Sequence, residues 1–319
     1  MFQHILIPLD GSSLAEGVLP HAIAVSQSFG AHCTLLRVME LNSPVYPPRP
    51  PDMLAWKLSR AKVKAYLNKV AERLRAAGVE TEPVILEGSP AARIIEYARR
   101  ENADLILLSS HGRTGLSPWA VNSVAGKVIQ NSPVSTMVVR AYQSNPEEVM
   151  ITYQRILVPL DGSQRAEFAL SPAITLATHH QSELVLVQAV EKPEMPRRSP
   201  PSEEELALVE RLIQLNLQTA QSYLMRLKSY LPVEAEICAL ETEDVSACLH
   251  QLAESYRVDL VMLSAHGYKG RENQPFGSIA MNFILYGHTP LIILQDLPVT
   301  QGSAGWEEPV VPVKNFEGH

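Results

Sequence analysis

The chain repeats itself, and that fact constrains its fold more than any other. The stretch Ile5–Ser12, reading ILIPLDGS, returns 151 residues later as Ile156–Ser163, reading ILVPLDGS, with one difference in eight positions. Ala103–Gly112 (ADLILLSSHG) returns as Val258–Gly267 (VDLVMLSAHG) at nearly the same distance, so the order of elements repeats along with the motifs. A period of about 150 residues is a duplicated domain and not a solenoid of short repeats. At 319 residues the length also suits two domains, each large enough to bury a core. The repeat sets the expected boundaries: a first domain over 1–142, a linker over 143–152 and a second domain over 153–297. The tail, 298–319, is rich in Gly, Pro and Glu without periodicity and is expected to be disordered.

Within each half, short apolar runs alternate with helical patterns. Strands are expected near 4–9, 34–39, 82–86, 104–109 and 135–139, and again near 155–160, 183–189, 233–239, 259–263 and 291–294. These runs are rich in Ile, Val and Leu without polar alternation, as in strands covered on both faces. Between them Val63, Leu67, Val70 and Leu74, spaced by four, three and four, give one apolar helix face that ends at Gly78. Alternating strand and helix predicts an α/β fold: two tandem Rossmann-like domains, each a five-stranded parallel sheet with helices on both faces. Two Pro-rich stretches, 43–52 and 192–202, follow the second strand of each half and read as loops over the open end of the sheet.

Composition narrows the partners. Asp plus Glu number 34 against 27 Lys plus Arg, a net charge of −7, so the clustered positive charge that nucleic-acid binding needs is not supplied. No uncharged apolar run approaches the roughly 20 residues that span a bilayer, and the first residues enter a strand pattern directly, so no membrane association and a cytoplasmic location are expected. Cys33, Cys238 and Cys248 form no Cys-x-x-Cys pair and sit among apolar residues, as reduced buried cysteines do.

Ligands of open parallel sheets bind beyond the carboxyl ends of the strands, where the winding direction reverses. That rule selects two segments per half. The first strand ends in Pro8-Leu9-Asp10 and its repeat in Pro159-Leu160-Asp161, where the carboxylate can accept hydrogen bonds from ribose hydroxyls. The fourth strand ends in Ser109-Ser110-His111-Gly112, followed by a loop, Asn122-Ser123 and a helix beginning near Val124. The second half reads Ser264-Ala265-His266-Gly267, then a loop, then Gly277-Ser278-Ile279. A serine at the start of a helix is expected to cap its amides, and helix amides with the helix dipole suit phosphate.

At these residues the chain resembles the universal stress protein family, which carries a glycine, two residues, a glycine, nine residues, then glycine with Ser or Thr, together with an Asp ending the first strand. Gly112 and Gly267 match the second glycine, Gly277-Ser278 the closing pair, Ser123 the closing hydroxyl, and Asp10 and Asp161 the acidic residue. Ser109 and Ser264 stand in place of the first glycine and Asn122 in place of the last glycine of the first half, so the second half lies nearer the pattern. The resemblance implies binding of ATP or AMP: adenine beside the second strand at Val38 or Ala189–Val190, ribose at Asp10 or Asp161, phosphates over the glycine-serine loop, and Mg²⁺ with ATP through phosphate and water. It also implies that the last strands, Ser135–Val139 and Leu291–Leu294, pair edge to edge in an internal pseudo-dimer, which would hide their exposed edges, and that the role is in stress response or signalling. The composition of the loops 112–123 and 267–278 adds the expectation that nucleotide orders them.

Simpler readings stand beside these. Asp-Gly is a common turn pair, Ser123 and Ser278 can be plain helix caps, and the basic Arg113, Lys269 and Arg271 can be solvated. His111 and His266 recur at the ends of the fourth strands and read as structural rather than catalytic. Asp104 and Asp259, just before a buried strand, read as local hydrogen-bonding partners. No Gly-x4-Gly-Lys-Ser/Thr loop, His-Glu-x-x-His helix or Gly-x-Ser-x-Gly elbow occurs, so any ATP hydrolysis is expected to be slow and incidental. A phosphoacceptor role for Asp10 would need an aspartate ending the third strand, where the chain has Leu86-Glu87. The alternative function is a degenerate tandem module that binds no nucleotide and serves in dimerisation or as a scaffold. Either function accommodates self-association: in the helix near 205–228, Leu206, Val209, Ile213, Ala220 and Leu224 form one stripe and Leu208, Leu212 and Leu215 a second, which predicts a homo-oligomer, a dimer in the simplest case.

Overall fold

The computed structural model describes residues 1–40, 53–110, 124–140, 150–193, 201–268 and 276–295. The Pro-rich stretch 43–52, most of 192–202, the linker residues 143–149 and the tail 298–319 lie outside the described residues. The first half runs β1 His4–Pro8, α1 Ser13–Glu16, α2 Leu19–Phe29, β2 His32–Met39, α3 Met53–Ala76, β3 Thr81–Glu87, α4 Pro90–Arg100, β4 Leu105–Ser109, α5 Val124–Asn131 and β5 Ser135–Val139. The second repeats that order with β6 Arg155–Pro159, α6 Gln164–Glu167, α7 Leu170–His180, β7 Glu183–Glu191, α8 Glu203–Tyr230, β8 Ala235–Thr242, α9 Val245–Ser255, β9 Leu260–Ser264, α10 Ser278–Tyr286 and β10 Leu291–Leu294.

All ten expected strands form, within three residues of their expected bounds. Each half contributes five parallel strands, and the two sets join into one ten-stranded sheet of order β3-β2-β1-β4-β5-β10-β9-β6-β7-β8. The seam is the edge pairing that the family resemblance implies: β5 meets β10 antiparallel, with Thr136 opposite Ile293, Met137 opposite Ile292 and Val138 opposite Leu291. Joining there leaves neither half with a bare edge at its fifth strand. Met137 and Ile292 are fully buried, each contributing on the order of 2 kcal/mol by removal from water.

Apolar cores cover both faces. On one face α2 and α7 pack together across the seam, flanked by α3 and α8; on the other lie α4, α5, α9 and α10. In α3 the residues Leu67, Val70 and Leu74 are buried and Val63 half-buried, and the chain turns away through Gly78 at φ +83, a backbone conformation that suits glycine. Helix α8 starts in a capping box in which Ser202 accepts from the Glu205 amide and the Glu205 carboxylate accepts from Ser202. Asp104 and Asp259 do bond locally: Asp104 accepts from the amides of Gln3 and His4 at 2.7 and 3.0 Å, and Asp259 from those of Gln154 and Arg155 at 2.6 and 2.9 Å. Each carboxylate thus anchors the start of a central strand through charge-assisted bonds.

Among the described residues several polar side-chain contacts cross between the halves, and those of Arg140 and His21 are buried. Arg140, 3% exposed at the end of β5, donates to the carbonyls of Phe283 and Ile284 at 2.7 and 3.1 Å, near the C-terminal end of α10 where the helix dipole favours a cation. His21 Nδ1 lies 2.8 Å from the hydroxyl of the fully buried Tyr153. Among the described residues no helix is long and apolar enough to cross a membrane.

Candidate functional site

A cleft of about 930 Å³ opens at the carboxyl ends of β6, β7 and β9, at the point where the winding of the second half reverses. Strand β6 delivers Pro159, Leu160 and Asp161, and β9 delivers Leu263 to Gly267. The start of α10 contributes Gly277, Ser278 and Ile279, and α9 closes the far side with Val245 and Leu249. Of the second-half residues singled out from sequence, the fold brings together Pro159, Asp161, Ser264, Gly267, Gly277, Ser278 and Ile279. Val190 is not among them: side chains alternate along a strand, and the β7 residues on the cleft are Val187, Ala189 and Glu191.

The carboxylate of Asp161 is held from both sides. Its Oδ1 accepts from the Ser163 amide at 3.0 Å and the Ser163 hydroxyl at 2.6 Å, while Oδ2 accepts from the Tyr268 amide at 2.5 Å. Ser163 in turn caps α6 by accepting from the Ala166 amide at 3.1 Å. This draws the segment after β9 against the end of β6, and only glycine fits at the closest point, because a Cβ on Gly267 would overlap Asp161 Oδ2. Asp161 is therefore both a turn residue and a wall of the cleft. A carboxylate offers about four acceptor sites, so three protein donors leave room for a ligand hydroxyl.

The helix start expected to take phosphate differs from expectation in one respect. The N-cap of α10 is Gly277, with extended backbone at φ −70 and ψ 168, and no side chain caps the helix; Ser278 is its first residue rather than its cap. The Gly277 amide is tied back to the Ala265 carbonyl at 2.7 Å. A helix of nine residues thus opens onto the cleft with a first turn that no side chain among the described residues caps, which an anion can use. Ser264, 8% exposed on the cleft, has a hydroxyl without a hydrogen-bond partner. In the first half the equivalent Ser109 donates to the Leu14 carbonyl at 2.9 Å.

The far end of the cleft is acidic. Glu191, Glu243 and Asp244 line it, with Lys192 3.7 Å from Glu243 and Asp244 capping α9 through the Ala247 amide at 3.0 Å. A carboxylate repels an anion, so an anionic group suits this cleft only at its other end, beside the start of α10. The α9 wall was not found from sequence because its residues form an ordinary amphipathic helix. The one local signal is Asp244 placed as an N-cap. His266 is 1% exposed and lines the cleft.

In the first half, Asp10 repeats the turn, accepting from the Ser12 amide and hydroxyl at 2.9 and 2.5 Å, and Pro8 ends β1. Val38, 9% exposed on β2, packs in the core on the α4 side of the sheet, and Val124 opens α5 at 41% exposure. His111, Gly112, Arg113, Asn122 and Ser123, and in the second half Lys269 and Arg271, lie outside the described residues.

Comparison with known proteins matches the universal stress protein family model to residues 1–140 and again to 152–295. A universal stress protein of Methanocaldococcus jannaschii is 32% identical over 141 residues, which is 44% of this chain and 83% of that protein. One from Thermus aquaticus is 32% identical over 146 residues, 44% of this chain and all of that protein. A solved universal stress protein from Archaeoglobus fulgidus is similar in fold over 92% of this chain and 98% of its own, with a TM-score of 0.64 at 19% identity.

Proposed function

The chain belongs to the universal stress protein family in both of its halves, and from that premise we propose that it binds an adenine nucleotide, ATP or AMP, in the cleft of its second half. The observation that carries this reading is the pairing, across one cleft, of a carboxylate held at the end of β6 with the uncapped first turn of α10. In the proposed pose the base lies along Val187 and Ala189 against α9, the ribose hydroxyls reach Asp161, and the phosphates take the α10 amides. Mg²⁺ would accompany ATP, bound through phosphate oxygens and water. The role is stress response or signalling: nucleotide draws together the β9 end, Gly267 and the start of α10, and changes the surface presented around the cleft. The domain limits of 1–142 and 153–297 are part of the same reading.

The test begins with protein purified without added nucleotide, denatured and analysed chromatographically for released small molecules. Calorimetric titration of ATP and AMP into the wild type, Asp10→Ala and Asp161→Ala then locates the site. Binding lost in Asp161→Ala and kept in Asp10→Ala is the expected result. No retained nucleotide, together with no heat from either ligand at millimolar concentration, would overturn the reading in favour of a ligand-free scaffold.

A further inference from the structure

Helices α3 and α8 are the same element of the two halves, and both are longer than the strands they cover. At about 1.5 Å per residue they run roughly 36 and 42 Å, against roughly 25 Å for the strands beneath them. Burial follows that mismatch. In α3 the buried residues begin at Leu67, and in α8 they are Ile213, Ala220 and Leu224. The N-terminal halves carry apolar residues turned away from the sheet: Leu54 and Leu58, 67% and 56% exposed, on α3, and Leu208, Leu212 and Leu215, 65%, 46% and 45% exposed, on α8. Their spacings of four, and of four and three, make each set one continuous stripe.

The two stripes carry opposite charge. Residues 53–64 hold Lys57, Arg60, Lys62 and Lys64 and no carboxylate, whereas residues 203–214 hold Glu203, Glu204, Glu205 and Glu210 against the single Arg211. Among the described residues Lys57, Lys62, Lys64, Glu203 and Glu204 take part in no ion pair. One molecule cannot bring its two stripes together. Helix α3 packs on β3 and α8 on β8, the opposite edges of the ten-stranded sheet, which nine strand spacings of about 4.8 Å place roughly 43 Å apart.

We propose that the N-terminal half of α8 docks on the N-terminal half of α3 of a second copy of this chain, leucine stripe on leucine stripe with glutamates facing lysines. The second stripe of α8 then meets a neighbouring chain, and that chain's matching surface is a basic helix of the other repeat. The contact is heterologous, since each copy uses a different helix, so a pair of molecules still offers one free surface of each kind and grows further unless the rotation closes a ring.

Charge reversal on the full-length chain tests this by sedimentation velocity across a concentration series. The wild type should gain mass with concentration. The triple variant Lys57→Glu, Arg60→Glu, Lys64→Glu, with two acidic helices, and the triple variant Glu203→Lys, Glu204→Lys, Glu210→Lys, with two basic ones, should each associate at least about tenfold more weakly. An equimolar mixture of the two should associate again, because every contact in it joins unlike charges. Leu212→Gln gives an uncharged disruption with the same expected loss, and circular dichroism checks that each variant is folded. A wild type that stays monomeric at hundreds of micromolar, association unaffected by either reversal, or a mixture that stays apart would overturn the proposal.

Discussion

A Cβ built on Gly267 would overlap Asp161 Oδ2, and the carboxylate has nowhere to go because Ser163 and the Tyr268 amide hold it. Gly267→Ala should therefore lower stability by about 1–3 kcal/mol, the usual cost of overpacking, and weaken nucleotide binding. The double variant Asp161→Ala, Gly267→Ala removes the overlap, so thermal melts should show the second substitution costing much less in that background. Equal losses in the two backgrounds would mean that the contact does not restrict this position. The need for glycine at this position was legible from the repeated His-Gly motif. Its opponent was not, since Asp161 lies 106 residues earlier in the chain.

At the scale of elements, α10 trades its own stability for an open first turn. Its N-cap Gly277 has φ −70, which any residue adopts, and a Cβ there would meet the Ala265 carbonyl at 3.4 Å, a tolerable approach. Gly277→Asp should supply the missing cap and place a negative charge at the positive end of the helix, raising stability by about 1 kcal/mol. The same carboxylate would occupy the anion position, so calorimetry should show ATP affinity falling at least about tenfold as the melting temperature rises. A variant that melts higher and binds ATP as the wild type does would place the phosphates elsewhere. The sequence pointed to a helix start here with the serine as its cap; the structure moves the cap one residue earlier, because Gly277 still has extended backbone and Ser278 already lies in the helix.

At the scale of the whole molecule, the two halves share one sheet and a buried polar contact on one of its faces. Burial holds His21 down to about 4 from its ordinary 6.5, so the folded ring is neutral and can accept the proton of the Tyr153 hydroxyl 2.8 Å away. Burial also raises Tyr153, which keeps that hydroxyl protonated. A folded-state pKa below the unfolded value means that the unfolded chain binds the extra proton. The stability held by the neutral ring is therefore complete above about pH 6.5 and is lost as pH falls toward 4, by on the order of 3 kcal/mol. Urea midpoints measured across that window should fall less steeply in the double variant His21→Leu, Tyr153→Phe, which removes the titrating ring and leaves no orphaned hydroxyl. Parallel curves for wild type and variant would assign the acid sensitivity to other groups.

The ten strands, the duplication and the turn carboxylates follow from local pattern alone. Apolar runs select buried strands wherever they occur, and an Asp-Gly-Ser turn closes through atoms two residues apart. Tertiary structure decided what depends on distant residues meeting. The fusion of two sheets into one required β5 and β10 to come edge to edge, and the packing of Gly267 on Asp161 required β6 and β9 to be neighbours. The choice of Ala189 over Val190 came from the face of β7 that α9 covers, and the separation of the α3 and α8 stripes from the width of the sheet between them. A sequence records which residues are apolar, charged or small. Which of them face each other is settled by a register that only the packed sheet enforces.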